Sequence, residues 1–132
     1  MANEKYISVD EKVCEAATNF SRLFFHSFDG KRGALIQMFT LDNPTFVFNG
    51  QPYQGYDSIK QFLHDHPDTD HSINVLDGHQ VDFNMGYTDP IHMVCSGRVR
   101  SGKCVKPFTS TFLLVKEDGL HRAKAVQMRY LY

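Results

Sequence analysis

Between His64 and His71 the chain reads HDHPDTDH, three imidazoles and three carboxylates within eight residues. His64-x-His66 and Asp68-x-Asp70-His71 could converge on a divalent metal, because neutral imidazole and carboxylate are both good ligands for zinc and its neighbours. The same stretch straddles a helix end and a Pro turn, where solvated polar side chains are expected without any ion. A polar turn is the reading adopted, and no metal or other cofactor is predicted. Cys14, Cys95 and Cys104 are an odd set with no disulfide-framework spacing. They read as free thiols in a reducing compartment, and their spacing pairs none of them with a histidine as a nucleophile would need. Arg98, Arg100, Lys103 and Lys106 crowd one turn. Such a cluster can bind RNA phosphates, or form a basic rim that steers an acidic protein partner; the second reading is preferred.

The chain around these residues is ordinary in bulk. Its 132 residues make one domain, 1–132, large enough for its own core. Hydrophobic residues are 42% and charged ones 22%, and the net charge is −1, so nothing points to a nucleic-acid surface spread over the whole molecule. The start, MANEKYISVDEK, has no apolar signal-peptide core, and no apolar run approaches the ~20 residues that span a bilayer. A soluble intracellular protein with no membrane contact is expected.

Helices come first. Ser8 with Glu11 makes a capping box, and Val13, Ala16, Ala17, Phe20, Leu23, Phe24 and Phe28 form the apolar stripe of a long helix that Gly30 stops. Leu35, Ile36 and Phe39 suggest a shorter second helix. Thr45–Phe48 alternates as a short strand, Asn49-Gly50 accepts the positive φ angles of a tight hairpin, and 51–54 returns. Pro52 must then lie on an edge. Asp57 caps a third helix carrying Ile59, Phe62 and Leu63, which ends at or before Pro67.

After His71 the period changes to two. Strands are predicted near residues 72–83, 91–100, 107–116 and 122–130, with turns at Gly86, Asp89-Pro90, Ser101-Gly102 and Asp118-Gly119. Helices followed by long strands make an α+β order, with antiparallel pairing and the helices on one face. One sheet face carries Cys95, Gly97, Val99, Ser110, Phe112, Leu114, Val126, Met128 and Tyr130 and fits the helices. The other carries Val94, Ser96, Arg98, Arg100, Thr109, Thr111, Leu113, Ala125, Gln127, Arg129 and Leu131. Apolar, hydroxyl and Arg side chains mixed in this way suit a protein interface, although an ordinary wet sheet face reads similarly.

With the elements laid out, the chain resembles the nuclear transport factor 2-like family over about residues 10–130. The likeness is carried by Phe48-Asn49-Gly50 through Gly55, by His71-Ser72-Ile73 with Asp77, and by Gly97. Phe108 with Thr111-Phe112-Leu113-Leu114 and the terminal Met128-Arg129-Tyr130 extend it. The fold so implied is a cone, a curved antiparallel sheet wrapped around one long helix and two shorter ones. Within the family the chain is most similar to the small subunit of the TAP-type messenger-RNA export receptor, through Asp10, Cys14, Ala16-Ala17, Phe20, Asp29 with Arg32, Asn49-Gly50, Ser58, Phe62, Pro67, Val75 and Val81. It departs from that pattern at His79-Gln80, where Gln-Pro is usual, at His121 for an aromatic, at Val126 for Asp and at Met128 for Phe.

The resemblance implies a non-catalytic partner. Such a subunit pairs through its sheet with the like-folded domain of a large subunit, helps it dock on Phe-Gly nucleoporins, and shuttles between nucleus and cytoplasm without needing to touch RNA itself. It makes Arg129, Gln127, Thr111, Thr109, Arg98 and Val94 the candidate partner-binding residues, with Arg129 pairing to a carboxylate of the large subunit. The alternative branch is the homodimeric carrier of GDP-bound Ran, which uses acidic residues where this chain has Asn49 and the loop from Ser101 to Lys106; Ran binding is therefore disfavoured. The third reading is an enzyme. The fold also hosts dehydratases, yet the inward positions offer only Tyr130 as a titratable group, with His26, His92 and His121 as possible helpers. No catalytic residue is assigned.

Overall fold

The computed structural model describes residues 9–81 and 86–131. Helix α1, Val9–Gly30, leads into a single helical turn, α2, Arg32–Leu35, which tightens into a 3-10 turn at Ile36–Met38. The hairpin strands β1, Thr45–Phe48, and β2, Gln51–Gln54, come before helix α3, Tyr56–Asp65. Four long strands complete the chain: β3, Asp70–Gln80; β4, Ile91–Ser101; β5, Cys104–Glu117; and β6, Leu120–Tyr130. Ser8 of the expected capping box and Phe83 at the expected end of β3 lie outside the described residues.

The six strands form one sheet in the order β2-β1-β6-β5-β4-β3. Pro52 sits on the edge strand β2, where its missing N–H costs no ladder bond. Asn49 and Gly50 both take positive φ, 50° and 85°, as a tight hairpin requires. The sheet differs from expectation in one pairing: β1 runs parallel to β6, while every other pair is antiparallel. The cause is where the chain arrives. Phe39 already bridges Ala123 in parallel and Thr40 N–H donates to Ala123 O at 3.0 Å, so β1 starts alongside the beginning of β6 and can only run with it.

The core is aromatic. Phe20, Phe24, Phe25 and Phe28 of α1 meet Phe108 and Phe112 of β5, with the Phe24 and Phe112 rings edge-on at 4.9 Å. Leu23, expected in the stripe, is 55% exposed. The arc that touches the sheet is centred on Phe24 and reaches Phe25, and at about 100° per residue that turns Leu23 outward. Asp57 is not the cap of α3 either. Gly55 holds that position at φ 90° with its N–H on Pro44 O, so the helix opens two residues earlier and Asp57 sits in its first turn. The register slips at Ile73/Val75 and at Leu113/Leu114, two bulges that bend the sheet around α1. Two glycines permit close approach. A Cβ on Gly78 would meet the Ala17 Cβ of α1 at 2.9 Å, and one on Gly97 would lie 1.9 Å from Ser72 O.

Candidate functional site

The outer face of the sheet gathers all six candidate contact residues. Val94 stands opposite Thr111, Thr111 opposite Gln127, and Gln127 opposite Val47. With Asp77 and Pro52 at its ends, this row crosses all six strands, roughly 24 Å at ordinary strand spacing. The next row runs Val75, Ser96, Thr109, Arg129, and the one beyond it Ser72, Arg98, Pro107. Arg98, Thr109, Gln127 and Arg129 are exposed, whereas Val94 and Thr111 are half-covered by their neighbours.

Arg129 is placed by backbone rather than by an acidic partner. Tyr130 N–H donates to Asn49 Oδ1 at 2.8 Å and Asn49 N–H donates to Met128 O at 2.9 Å, which fastens the hairpin turn to the last strand. The guanidinium then passes Gly50, with Nη2 3.6 Å from where a Cβ would stand. Among the described residues it makes no ion pair. Val75, 57% exposed on the same face, is a contact candidate that strand alternation does not disclose. The bulge at Asn74 turns Val75 outward, and no residue type in Ile73-Asn74-Val75 signals it.

A second constellation lies under the sheet. Asp29 at the end of α1, His71 on β3 and Tyr130 on β6 form a chain: His71 Nδ1 to Asp29 Oδ1 at 2.6 Å, and His71 Nε2 to the Tyr130 hydroxyl at 2.9 Å. With Nδ1–H donating to the carboxylate, Nε2 accepts from the phenol. Thr69 Oγ1–H and His71 N–H also donate to Asp29. Burial alone would raise the Asp29 pKa, but the His71 bonds outweigh it and hold the carboxyl below its usual range. Burial, reinforced by Asp29, pushes the Tyr130 phenol well up, so it stays protonated as a donor. Both His71 nitrogens are thus engaged, and its ring is packed among Phe25, Phe28 and Phe108.

The segment expected to be a polar turn is therefore half core. Thr69 is buried and the His71 side chain is fully enclosed. Among the described residues no group of three or more His, Cys, Asp or Glu is arranged to hold a metal. The helpers proposed for Tyr130 lie elsewhere: His26 is exposed on α1, His92 points to the outer face beside His79, and His121 reaches Asp89 O. Cys95 is buried and its thiol is pushed up to about 12 by burial, far from a reactive thiolate, while Cys14 and Cys104 are exposed and unbridged.

A sequence profile of the nuclear transport factor 2 (NTF2) domain matches residues 16–125. The chain belongs to the nuclear transport factor 2 domain family. An NTF2-related export protein from Caenorhabditis elegans is 30% identical over 125 residues, covering 92% of this chain and 90% of that one. The human NTF2-related export protein 2 is 28% identical over 110 residues, with 82% and 77% covered. Among solved structures, nuclear transport factor 2 from Cryptosporidium parvum superposes with a TM-score of 0.81 at 16% identity, over 95% of this chain and 99% of that one. The C. albicans Mtr2-Mex67 M domain complex gives 0.73 at 13% identity, over 92% of this chain and 97% of that one. The cone of this family is the fold described above.

Proposed function

We propose that this protein is the non-catalytic small subunit of a messenger-RNA export receptor, pairing through the outer face of its sheet with the like-folded domain of a large subunit. The observation that carries the reading is Arg129: an exposed guanidinium running past Gly50 of the hairpin turn, on a face that also presents Val75, Val94 and Val47. A side chain so placed is free to meet a carboxylate of another chain, and a charge pair closed off by an interface selects the partner more than it adds raw affinity. Two copies of the same face would bring Arg98, Arg100 and Arg129 together, which favours a different, acidic partner over self-association. The named export relatives and the Mtr2-Mex67 likeness support the same assignment. In this reading the heterodimer docks on nucleoporins and shuttles through the pore, and the subunit contacts RNA only through its partner.

Arg129→Glu tests this. The expected result is loss of co-purification with the large subunit, at least about a hundredfold in affinity, with the circular dichroism melt unchanged. Normal co-purification would sink the assignment. Capture of GDP-bound Ran in place of a large subunit would replace it with the carrier reading, against which Asn49 offers no carboxylate in the hairpin turn.

A further inference from the structure

We propose that His79 and His92 bind a divalent transition-metal ion of the zinc, nickel or copper class on the outer face of the sheet. The two residues are directly opposed across the β3–β4 pair, and Val81 N–H on Pro90 O at 3.0 Å pins that end of the ladder. Their ring centroids are 5.4 Å apart with the planes inclined at 48°. An imidazole nitrogen sits about 2.0–2.1 Å from zinc, which puts each ring centre about 3.2 Å from the ion and two such centres about 4.5–5.2 Å apart. The observed 5.4 Å is about 0.2 Å beyond the upper end of that range, within reach of a small side-chain rotation.

Other features point the same way. Among the described residues neither ring makes a hydrogen bond or ion pair, in contrast to His71, which uses both nitrogens. The pair stands on two hydrogen-bonded strands, so its backbone spacing is set by the ladder. Asp77 lies two residues along β3 on the same face and lowers the potential for a cation. Imidazole without thiolate suits zinc, nickel and copper, and disfavours magnesium and calcium. Two protein ligands leave the remaining positions to water, or to a side chain of whatever covers the face. The site does not need the export partner, because both ligands belong to this chain.

The test uses the full chain with Cys14 and Cys104 alkylated, so that exposed thiols do not compete. Nickel ion is titrated in while the ring signals of all seven histidines are followed by NMR. The expected result is broadening of His79 and His92 first, one ion per chain, with the exposed His26 and His64 responding only at higher nickel. His79→Gln keeps a polar side chain at an exposed position of the edge strand, and so is expected to fold normally while losing about tenfold or more in affinity. Simultaneous broadening of the exposed histidines, or unchanged affinity in His79→Gln, would overturn the site.

Discussion

Arg32 donates to five acceptors: Phe28 O, the carbonyls of Leu63, His66 and Pro67, and Thr69 Oγ1. One side chain thereby closes the end of α3 onto the end of α1. His66, at the same junction, lies against Phe28, Phe48, Phe62 and Tyr130. Its pKa falls to about 4, first through burial and then through the positive charge of Arg32. The sign of the pH effect follows. Unfolded His66 takes up a proton near 6.5 and folded His66 only near 4, so stability falls as pH drops through that window and is flat above it. Because the ring is only half-buried, the expected loss is about 1–2 kcal/mol rather than the full linkage value. Asp29, whose folded pKa is depressed, adds a second loss below its ordinary range. Urea midpoints near neutral pH and near pH 5 measure the upper window, and His66→Phe is expected to abolish it; an unchanged slope in that variant would refute the assignment. None of this was legible locally. HDHPDTDH reads as solvated because its composition is polar, and whether His71 is enclosed depends on Asp29, forty-two residues away.

Elements were more legible than contacts. The hairpin, the helix before it and the strand parity follow from Asn49-Gly50, from the Phe spacing in α1 and from alternation in β4 to β6, all of which are local signals. The bulges and the parallel β1–β6 pair are not local: they arise where curvature and chain entry dictate a register that no short segment encodes. Gly97 shows what that curvature demands. Its Cβ position is filled by Ser72 O, so β3 and β4 can cross this closely only over a residue without a side chain. Gly97→Ala is expected to cost about 3 kcal/mol or more, since backbone on both sides must move. Gly30→Ala is the control: nothing lies within 4 Å of its Cβ position, and the change is expected to be neutral or slightly stabilising. Thermal melts followed by circular dichroism separate the two, and equal melting temperatures would show that the β3–β4 crossing is not the tight contact described.

At the scale of the whole molecule, a net charge of −1 hides an uneven distribution. Arg98, Arg100 and Arg129 share the outer face, with Lys103 in the adjoining turn, against Asp77 and Asp70, the latter directly opposite Arg100. A face of this kind steers an acidic partner through long-range attraction that salt screens within about 8–10 Å. The association rate with the large subunit is therefore expected to fall about tenfold or more between low and high salt, with dissociation much less affected. Stopped-flow mixing at several salt concentrations reads both rates, and a salt-independent association rate would remove steering from the account. The mixed face and its arginines were visible in the alternation of three strands. Val75 and the exact reach of the patch were hidden until the sheet was assembled.

The position of β6 between β1 and β5 has a consequence for biosynthesis. On the ribosome, the hairpin of β1 and β2 emerges early but has no sheet to join, because its only other neighbour is made some eighty residues later. Until then Phe39 and Phe46 lack the β6 residues, Ala123 and Val126, that stand beside them in the sheet. Closure of the sheet waits for the residues from Leu120 to Tyr130, the strand that joins β1 to β5. A message cut short before Leu120 is therefore expected to leave the hairpin without the strand that ties it to the rest of the sheet.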